Sequence, residues 1–465
     1  MGRRTGRTSR TGRGRMTPGP PVTPPAPVPA SQRGHGHHRA TPWPEARALA
    51  ARAGAGARAA VDRPPVRVPL GQALGRTLAE PLRALTDLPS FDSSAMDGWA
   101  VAGPGPWRVR EESVLAGHAG AAALAPGEAV RIATGARVPA GATAVVRTEH
   151  SRTEPGAGTV LLHPLREVVP GQDVRPRGQE CRTGDELLPA GALVGPAVLG
   201  LAAAAGYDEP AVLARPRVEV LVLGDELLTA GLPREGLIRD ALGPMLGPWL
   251  TALGAEVLAT RRIGDDAEAL YEAVTTSAAD LVVTTGGTAA GPVDHVHRVL
   301  DKAGATLLVD GVKVRPGHPM LLARLDAGRH LVGLPGNPLA AVSGLLTLAA
   351  PLLAALAAPP GAPAAPGPDP APPAAPVRDG VQGHPHDTRL VPVVHRDGLV
   401  VPLHYNGPAM LRGIAAAGAM AVVPPGGAEP GQRLELLALP WPTEPTTATP
   451  TPPSPTAPSR GACFT

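Results

Sequence analysis

The segment from residue 217 to residue 358 alternates strand-like and helix-like runs, and this alternation limits the possible folds more than any other feature. The apolar runs RVEVLVLGDEL, EVLATRRIGDD, LVVTTGG and HLVGLPGNP are typical of buried strands. Segments with helical spacing lie between them, such as the apolar series from Ile238 to Leu253. Strands that alternate with helices predict a parallel sheet with right-handed crossovers. We therefore predict a multidomain α/β protein with a parallel-sheet domain at its centre.

Changes in composition divide the rest of the chain into further segments. The alanine-rich and β-like runs suggest a helical and linker domain, a small β module inserted into it, and a C-terminal barrel-like β module. The predicted divisions are 1–42, a disordered Arg/Pro-rich arm; 43–88 and 174–215, the discontinuous helical and linker domain; 89–173, the β-rich insert; 216–358, the α/β domain; 359–376, a Pro/Ala linker; 377–440, the C-terminal β module with the hairpin signal RLVPVVHRDGLVVPL; and 441–465, a disordered tail.

Composition also narrows the class of protein. The two cysteines, Cys181 and Cys463, are far apart and have no metal-binding spacing, which fits a reducing cytoplasm. We find no apolar run of about 18 residues and expect no transmembrane helix. Six arginines in residues 1–16 could contact nucleic acid or an acidic membrane. A solvated, disordered arm is the more common use of such a block, so a nucleic-acid partner is not favoured.

Glycines and acids follow the strand-like runs of the α/β segment. Ligands of open α/β sheets bind beyond the carboxyl ends of the strands, where glycines let a ligand approach the backbone and helix N-termini favour anions. Several carboxylates beside a phosphate also suggest Mg²⁺. The alternative for any single aspartate is a helix N-cap. The strand ends carry Gly224-Asp225-Glu226, Gly264-Asp265-Asp266, Gly286-Gly287 followed by Asp294, and Pro335-Gly336-Asn337.

Positive charge is concentrated in the segment VKVRPGHP. Lys313, Arg315 and His318 lie close together around a Pro-Gly turn. Charge-assisted hydrogen bonds from such side chains could hold an oxyanion. A solvated turn explains the spacing equally well, so both interpretations stay open.

Seven motifs occur in one order between about residue 44 and residue 440. They are LPSFDSSAMDGWAV, IATGARVPAGATAVV, VRPRGQE, GDEL, TTGGTAAGPVDH, RPGHP and GLPGNP. In these motifs the chain resembles the molybdopterin molybdenumtransferases of the bacterial MoeA type and is similar to the E domain of gephyrin. The resemblance implies four domains, an elongated homodimer with its site at the interface, and a central domain that binds molybdopterin. It also implies Mg²⁺-dependent insertion of molybdate into adenylylated molybdopterin with release of AMP.

The resemblance and the strand ends together give three sets of candidate site residues. Asp97 and Thr134 are implied to reach across the dimer from the β-rich insert. The candidates for catalysis are Asp97, Thr134, Glu180, Arg315 and His318; for substrate binding Gly286, Gly287, Thr288, Gly291, Lys313, Pro335, Gly336 and Asn337; and for the metal Glu226, Asp265 and Asp294.

The chain departs from the family pattern at the oxyanion side. The family's KPGKP reads RPGHP, so Arg315 keeps a positive charge, whereas a histidine such as His318 is mostly neutral near pH 7. A further family lysine falls on Gly311, Leu223 and Leu242 replace a hydroxyl and an asparagine, and MLRGIAA replaces late serines. The alternative function is therefore a divergent paralogue that binds molybdopterin or a partner with weak or no transfer activity.

Overall fold

A computed structural model describes residues 40–118, 122–156, 158–288, 295–359 and 373–441. Most of the predicted arm, linker and tail lie outside these ranges, as do the candidates Gly291 and Asp294, so expectations about them stay predictions. Two short strands, Thr41–Pro42 and Ala374–Pro376, correct the ends of the predicted arm and linker.

A six-stranded sheet forms the centre of the fold and confirms the α/β class. Its parallel strands, in hydrogen-bonded order, are Glu256–Ile263, Arg217–Leu223, Leu281–Thr285 and His330–Leu334. Leu321–Arg324 and Thr306–Asp310 continue the sheet with antiparallel pairing. This antiparallel edge was not predicted, because its strands are short, with five and four residues.

Both faces of the central sheet are buried. Val220, Val222 and Val283 belong to one hydrophobic core, whereas Leu221 and Val282 belong to the other. Alternating burial on two sides is the pattern of a parallel sheet between helix layers. The first core includes helices Trp43–Ala60, Leu242–Ala252 and Pro338–Gly344 with its continuations Leu345–Ala349 and Ala350–Ala357; the second includes Ala267–Thr276 and His295–Lys302.

The helix after the first parallel strand begins later than its spacing predicts. Asp240 Oδ1 accepts hydrogen bonds from the backbone N–H groups of Leu242 and Gly243, so the helix begins at Leu242. Ile238, the first member of the predicted apolar series, lies instead in the short strand Ile238–Arg239, which pairs with Leu227–Leu228. Ile238 is therefore exposed rather than part of the core.

The sequence groups the first helix, Trp43–Ala60, with residues 61–88. In the structure this helix packs in the α/β core instead. Trp43 and Ala50 share a hydrophobic cluster with Leu352 and Leu356 of the helix Ala350–Ala357. A Cβ atom on Gly54 would come within 2.3 Å of the Leu352 carbonyl oxygen, so only glycine permits this close approach. The alanine-rich sequence predicts a helix but does not identify its partner.

The helical segment Pro338–Ala357 corrects the expectation about apolar runs. Its 20 residues, with a mean hydropathy of 2.1, have the length and composition of a membrane-spanning helix. It is 78% buried inside the protein, however, and Trp43 Nε1 donates a hydrogen bond of 3.0 Å to Thr347 Oγ1 in its π-helical part. Packing against the core therefore covers its apolar surface.

The β-rich insert contains a six-stranded sheet. Trp99, Trp107 and Leu162 fill the core on one side of it, and Val130 and Val145 lie on the other. The strands, in hydrogen-bonded order, are Ala144–Arg147, Gly98–Val101, Glu128–Ile132, Trp107–Val114, Thr159–Pro164 and Ser151–Gly156, and a 3₁₀ turn spans Thr148–His150.

Short elements connect the chain on the two sides of the insert. In each of three strand pairs, one strand precedes the insert's sheet in sequence and the other follows it. These pairs therefore mark the two ends of the insert. The pairs are Val66–Arg67 with Ala211–Val212, Leu82–Arg83 with Glu186–Leu188, and Ser93–Ser94 with Val174–Arg175; a 3₁₀ turn spans Leu70–Gln72 and a helix Pro196–Ala204.

The C-terminal sheet takes in strands from earlier in the chain. Its strands, in hydrogen-bonded order, are Thr41–Pro42, Val312–Arg315, Thr388–Arg396, Ala419–Val423, Arg433–Ala438 and Ala374–Pro376. A further strand, Leu399–Pro402, pairs with Thr388–Arg396. The same module contains the separate strand pair Val381–Gln382 with Gly427–Ala428 and a short helix, Arg412–Ala416. The predicted hairpin is confirmed, since Asp397 and Gly398 turn at positive φ between antiparallel strands. The predicted α/β domain, 216–358, includes Val312–Arg315; in the structure this strand pairs with Thr388–Arg396, so Arg315 lies in the C-terminal sheet.

Candidate functional site

The carboxyl ends of the two central parallel strands form an open backbone shelf. Gly286 and Gly287 have φ values of 81° and 65°, which favour glycine. A Cβ atom on Gly336 would lie 3.7 Å from the Cα of Gly286, so the loops after the two strands are neighbours. We call Gly286, Gly287 and Gly336 the glycine shelf. Gly336 is exposed and Gly286 and Gly287 are half-buried, so a ligand can approach the backbone at this edge.

Three other candidates flank the glycine shelf, in different environments. Thr288 is 6% exposed, and its methyl group would meet a Cβ on Gly333 at 2.8 Å, so its side chain packs inward. Pro335 is buried as well. Asn337 is exposed at the N-cap of the helix Pro338–Gly344 and makes no side-chain capping hydrogen bond. Of the three, Asn337 is the residue whose side chain is available to a ligand.

Acidic side chains lie over the glycines that end the other two parallel strands. A Cβ on Gly224 would contact the Glu226 carboxylate at 2.4 Å, and a Cβ on Gly264 would contact Asp225 Oδ1 at 2.6 Å. Glu226 and the adjacent Asp265 are both exposed. In the described part of the chain, no three His, Cys, Asp or Glu side chains are grouped to hold a metal ion. The predicted metal set of Glu226, Asp265 and Asp294 therefore stays a prediction.

One strand-end aspartate, Asp266, is a helix N-cap, which is the alternative role for such acids. Asp266 Oδ1 accepts hydrogen bonds from the backbone N–H groups of Glu268 and Ala269, at 2.8 and 3.2 Å. It is thus the N-cap of the helix Ala267–Thr276. This leaves Asp265 as the acid without a capping role at that strand end.

The Pro-Gly turn of RPGHP packs against the first turns of the helix that begins at Pro338. Gly317 has a φ of 111°, and a Cβ there would come within 3.0 Å of the Ala340 carbonyl oxygen. From the other side, the Pro408 carbonyl accepts hydrogen bonds from the N–H groups of Leu339 and Ala340. The turn, the residues after GLPGNP and a loop of the C-terminal module therefore meet at one helix N-terminus, which favours anions.

Of the three predicted cations of this turn, Arg315 and His318 have hydrogen-bond partners among the described residues, and Lys313 has none. Arg315 Nε donates to Asp387 Oδ2 at 2.9 Å, and its side chain is 47% exposed. His318 Nδ1 is 2.8 Å from the Val312 carbonyl oxygen, so it donates to that oxygen and leaves Nε2 for a ligand. Lys313 is half-buried and makes no hydrogen bond or ion pair with the described residues. Positive charge from Lys313 and Arg315 is thus available beside the helix N-terminus.

Sequence reasoning missed the groups that surround Arg315. Arg389 lies on the neighbouring strand of the C-terminal sheet, Asp387 immediately precedes that strand, and Asn406 contacts Arg389. Arg412 stacks on the Tyr405 ring at 4.4 Å and donates to its hydroxyl at 2.8 Å. The pairing of Val312–Arg315 with a distant strand is what brings them together, and no local pattern signals that pairing.

Within the β-rich insert, the structure brings Asp97 and Thr134 into contact. The Thr134 backbone N–H and hydroxyl both donate to Asp97 Oδ1, at 2.7 and 2.9 Å. Asp97 also lines a cavity of about 260 Å³ with Arg131 and Thr148. Glu180 lies outside this pair and is exposed, with its backbone N–H bonded to the Leu88 carbonyl.

No hydrogen bond or ion pair among the described residues joins the Asp97–Thr134 pair to the strand ends of the α/β sheet. A cavity of about 790 Å³ lies between Arg67, Arg83 and Tyr207, but none of the predicted site residues lines it. Both of its arginines are in ion pairs, Arg67 with Glu80 of the same cavity at 3.4 Å and Arg83 with Glu186 at 2.8 Å. We therefore take the strand ends, and not this cavity, as the candidate site.

Comparison with known proteins accounts for this arrangement along nearly the whole described chain. Residues 42–206 match the MoeA N-terminal region (domain I and II), residues 219–355 a probable molybdopterin binding domain, and residues 374–439 the MoeA C-terminal region (domain IV). The molybdopterin molybdenumtransferase 2 of Mycobacterium tuberculosis is 39% identical over 295 residues, covering 60% of this chain and 72% of that protein. The chain belongs to the molybdopterin molybdenumtransferase family. It is therefore an enzyme of molybdenum cofactor biosynthesis.

Other relatives agree with the family assignment. The molybdopterin molybdenumtransferase of a Nostoc species is 34% identical over 287 residues, covering 59% of this chain and 65% of that protein. The solved structure of the molybdopterin biosynthesis MoeA protein of Pyrococcus horikoshii has a TM-score of 0.65 at 25% identity and covers 86% of this chain and 99% of that one. The multidomain α/β architecture is thus shared by this molybdenumtransferase and a solved relative.

Proposed function

We propose that this molybdenumtransferase inserts molybdate into adenylylated molybdopterin and releases AMP, with Mg²⁺, as a cytoplasmic homodimer. The observation that carries the proposal is the packing of the RPGHP turn on the helix that follows GLPGNP. It puts the cations Lys313 and Arg315 beside the backbone that follows the glycine shelf. An adenylylated pterin and an oxyanion are both anionic ligands, and this arrangement offers a separate binding surface to each.

The glycine shelf would hold the phosphate and pterin part of the substrate. A Cβ atom at Gly336 or Gly286 would meet only one backbone atom, at an ordinary contact distance of 3.7 Å, so neighbouring side chains do not cover these two positions. The helix that begins at Pro338 contributes the partial positive charge of its N-terminus, although the N–H groups of Leu339 and Ala340 are bonded to the Pro408 carbonyl. The exposed Asn337 amide adds a donor and an acceptor that can fix orientation.

The acids of the strand ends suit a magnesium ion that is bound together with substrate. Mg²⁺ commonly takes one or two protein carboxylates, keeps several waters and binds substrate phosphates. Glu226 and Asp265 are exposed at the ends of adjacent strands and match this requirement in chemistry and accessibility. When bound, the ion would offset the negative charge of the phosphates, which favours departure of AMP.

The oxyanion would bind on the other side, at the RPGHP turn. Arg315 directs only Nε to Asp387, so its two terminal nitrogens can donate to a second, bidentate anion. His318 can offer Nε2 alone, since Nδ1 is bonded to the Val312 carbonyl. Arg315 is accordingly the stronger of the two proposed oxyanion ligands.

The separation of Asp97 and Thr134 from the strand ends supports a site shared between two copies of the chain. If both groups act on substrate, as the family resemblance implies, a second protomer has to bring its insert to the strand ends of the first. A symmetric dimer provides two such sites. For the compartment, Cys181 is a buried free thiol, which suits a reducing cytoplasm.

A direct assay tests the reaction. Purified protein is incubated with adenylylated molybdopterin, Mg²⁺ and molybdate, and AMP release and pterin-bound molybdenum are measured. We expect both products to appear together, and both to depend on molybdate. Pterin binding without AMP release under these conditions would refute the proposed reaction.

A divergent paralogue that binds molybdopterin without efficient transfer is the second candidate. The observation that favours it is the Arg315–Asp387 ion pair, because a carboxylate beside the proposed oxyanion ligand offsets part of its charge. Expression of this chain in a strain that lacks its molybdenumtransferase distinguishes the two. Restored molybdoenzyme activity excludes the second candidate.

A further inference from the structure

Asp173 connects the loop that carries Asp97 to a neighbouring strand of the β-rich insert. It lies at the end of the insert, directly before the strand Val174–Arg175. Its backbone carbonyl accepts a hydrogen bond from the N–H of Ala95 at 2.8 Å. Its carboxylate accepts two hydrogen bonds from Arg147, one from Nε and one from Nη2, both at 2.9 Å. Asp173 therefore contacts two separate segments of the insert at once.

Arg147 lies beside Asp97 on the other side of the loop. Its strand is antiparallel to the strand that begins at Gly98, and Arg147 is paired with Gly98 itself. A Cβ atom on Gly98 would overlap the Val146 carbonyl oxygen, so only glycine lets the two strands lie this close. The N–H of Thr148 donates to the Asp97 carbonyl at 3.3 Å. A displacement of Arg147 would therefore move the backbone on the C-terminal side of Asp97.

The strand of Arg147 is an edge strand, and the segment that ends at Asp173 covers its outer side. Ala144–Arg147 is the first strand in the order of the insert's sheet. The N–H of Val145 donates to the Gln172 carbonyl at 2.9 Å. The ion pair between Arg147 and Asp173 continues this contact with side chains. It thus fastens the edge of the sheet to the segment that also holds the loop.

The ion pair has a fixed geometry. The side chains of Arg147 and Asp173 are 32% and 13% exposed, and their two parallel hydrogen bonds specify an orientation as well as a charge. These bonds hold the pKa of the Asp173 carboxyl below its ordinary value, although desolvation opposes them. Asp173 also has a φ of 51°, a left-handed conformation that aspartate and asparagine tolerate better than most residues.

The loop Ala95–Asp97 depends on such contacts because it is short and joins two strands. Ser94 Oγ donates to the Met96 carbonyl at 2.6 Å and so holds the middle of the loop from within the same segment. Asp173 holds its first residue, and the strand of Arg147 holds its last. The ion pair connects these two outer contacts, so the loop has a single rigid support.

We infer that Asp173 and Arg147 are positioning residues that hold Asp97 in place. They act through the backbone on the two sides of Asp97. That Asp97 acts in transfer rests on the proposed function; the ordering of its loop by the ion pair does not. A carboxylate that has to meet the substrate of a second protomer needs a fixed position, since a misplacement of about 1 Å can lower a rate roughly a hundredfold.

Hydrogen-exchange mass spectrometry of the full-length protein tests the ordering of the loop. We expect Arg147→Gln and Asp173→Asn to speed exchange about tenfold in peptides that contain Ala95 and Thr134, because local opening becomes easier. Peptides from the central strand Leu281–Thr285 should exchange as in the wild type. Asp173→Asn tolerates the left-handed backbone and has nearly the same shape, so it removes the charge alone.

Two further variants calibrate the effect. Arg147→Lys keeps the charge but cannot make the bidentate contact, so its exchange should lie between those of Arg147→Gln and the wild type. Arg152→Gln is the matched control, because Arg152 pairs with Glu154 on the edge strand at the opposite side of the same sheet. It should exchange and react as the wild type does.

Kinetics of AMP release then test whether the ordered loop serves the reaction. Arg147→Gln should lower the rate about tenfold or more. Its affinity for molybdopterin should be unchanged, because neither residue of the pair belongs to the glycine shelf or the RPGHP turn. In a chain that already carries Asp97→Asn, Arg147→Gln should have little further effect on the rate, since residues that act through one another are not additive.

The outcomes separate this inference from a general structural role and from the proposed function. Wild-type exchange at the loop in both Arg147→Gln and Asp173→Asn would overturn the inference, and so would faster exchange throughout the chain. Faster exchange confined to the loop, with an unchanged rate of AMP release or with effects that add to those of Asp97→Asn, would also overturn it. Loop-confined exchange in a protein whose wild type releases no AMP would support the ordering of the loop while refuting the proposed function.

Discussion

Thr134 donates two hydrogen bonds to a single oxygen of Asp97, one from its backbone N–H at 2.7 Å and one from its hydroxyl at 2.9 Å. These bonds lower the pKa of the Asp97 carboxyl below its ordinary value, and the backbone bond has the larger effect. Partial desolvation opposes them, and Arg131 adds a smaller lowering. Asp97 is therefore held in its ionised form at the surface of the insert.

Thr134→Val should make the enzyme more sensitive to acid. The substitution removes the hydroxyl bond and keeps the backbone bond, so the pKa of Asp97 rises towards its ordinary value. A carboxylate with a lowered pKa loses its charge only as the pH falls through that value, so the variant should lose AMP release at a higher pH than the wild type. A pH profile of the release rate measures this shift. Thr134→Ser keeps the hydroxyl and should keep the wild-type profile; identical profiles for all three proteins would contradict the prediction.

Gly336→Ala should impair substrate binding while leaving the fold intact. The new methyl group would have only the Cα of Gly286 nearby, at an ordinary contact distance of 3.7 Å, so the protein should unfold at nearly the wild-type temperature. It would, however, project into the space above the glycine shelf. We expect about a tenfold loss in affinity for molybdopterin, the equivalent of roughly 1.4 kcal/mol, measured by fluorescence titration.

Gly333→Ala is the matched control for that substitution, three residues earlier and inside the strand His330–Leu334. Its methyl group would lie 2.8 Å from Leu321 Cγ and Thr288 Cγ2 in the core. It should therefore destabilise the fold by about 1–3 kcal/mol through overpacking, whereas Gly336→Ala should not. Unaltered pterin affinity in Gly336→Ala would show that the substrate does not reach the shelf.

His330→Leu should reduce the sensitivity of the folded state to acid. His330 is 2% exposed, and burial lowers its pKa from the ordinary 6.5 to about 4, with a smaller contribution from Arg324 that exceeds the opposing effect of Asp326. Between pH 6.5 and 4 the unfolded chain binds a proton that the folded chain does not, so stability falls as the pH is lowered. The substitution should remove up to about 3 kcal/mol of that loss.

Urea unfolding at pH 7.5 and pH 4.5 measures the effect of His330→Leu. The exposed His386 provides the control, because His386→Leu should leave the difference between the two pH values as it is in the wild type. An equal pH dependence in the wild type and His330→Leu would exclude His330 as the source.

The central sheet and the shelf could be predicted from sequence because local patterns determine them. Apolar runs buried on two faces specify the strands, and the residues after each run necessarily reach the carboxyl edge. Individual acids could not be assigned in this way. Asp266 and Asp265 are neighbours in sequence, yet only the hydrogen bonds of Asp266 to Glu268 and Ala269 show that it is a cap.

The oxyanion side could be predicted only in part, because it depends on long-range pairing. Arg315 and Asp387 are separated by 72 positions, and the ion pair exists because a strand of the α/β segment joins the C-terminal sheet. A short run such as VKVR carries no information about which strand it will pair with. For the same reason, the packing partner of the first helix could not be predicted. Its alanine-rich face can pack against many helices, and the whole fold determines its contact with Leu352.

Complementation between two inactive variants tests whether the site is shared between protomers. Asp97→Asn removes the charge of the insert's acid, and Arg315→Gln removes the cation of the C-terminal sheet. Each variant alone should release little AMP, because both of its sites would carry the defect. When the two are unfolded together and refolded, mixed dimers should contain one site with both substitutions and one with neither.

If protomers pair at random, half of the dimers are mixed and each has one intact site, so the mixture should recover about a quarter of the wild-type activity. Size-exclusion chromatography of the refolded sample confirms that dimers have formed, and mixing without refolding provides the baseline. Activity that stays at the level of the separate variants, in a sample that is dimeric, would mean that Asp97 and Arg315 serve the same site from the same chain or serve no common site. Recovery near the expected quarter would place the insert of one protomer at the strand ends of the other.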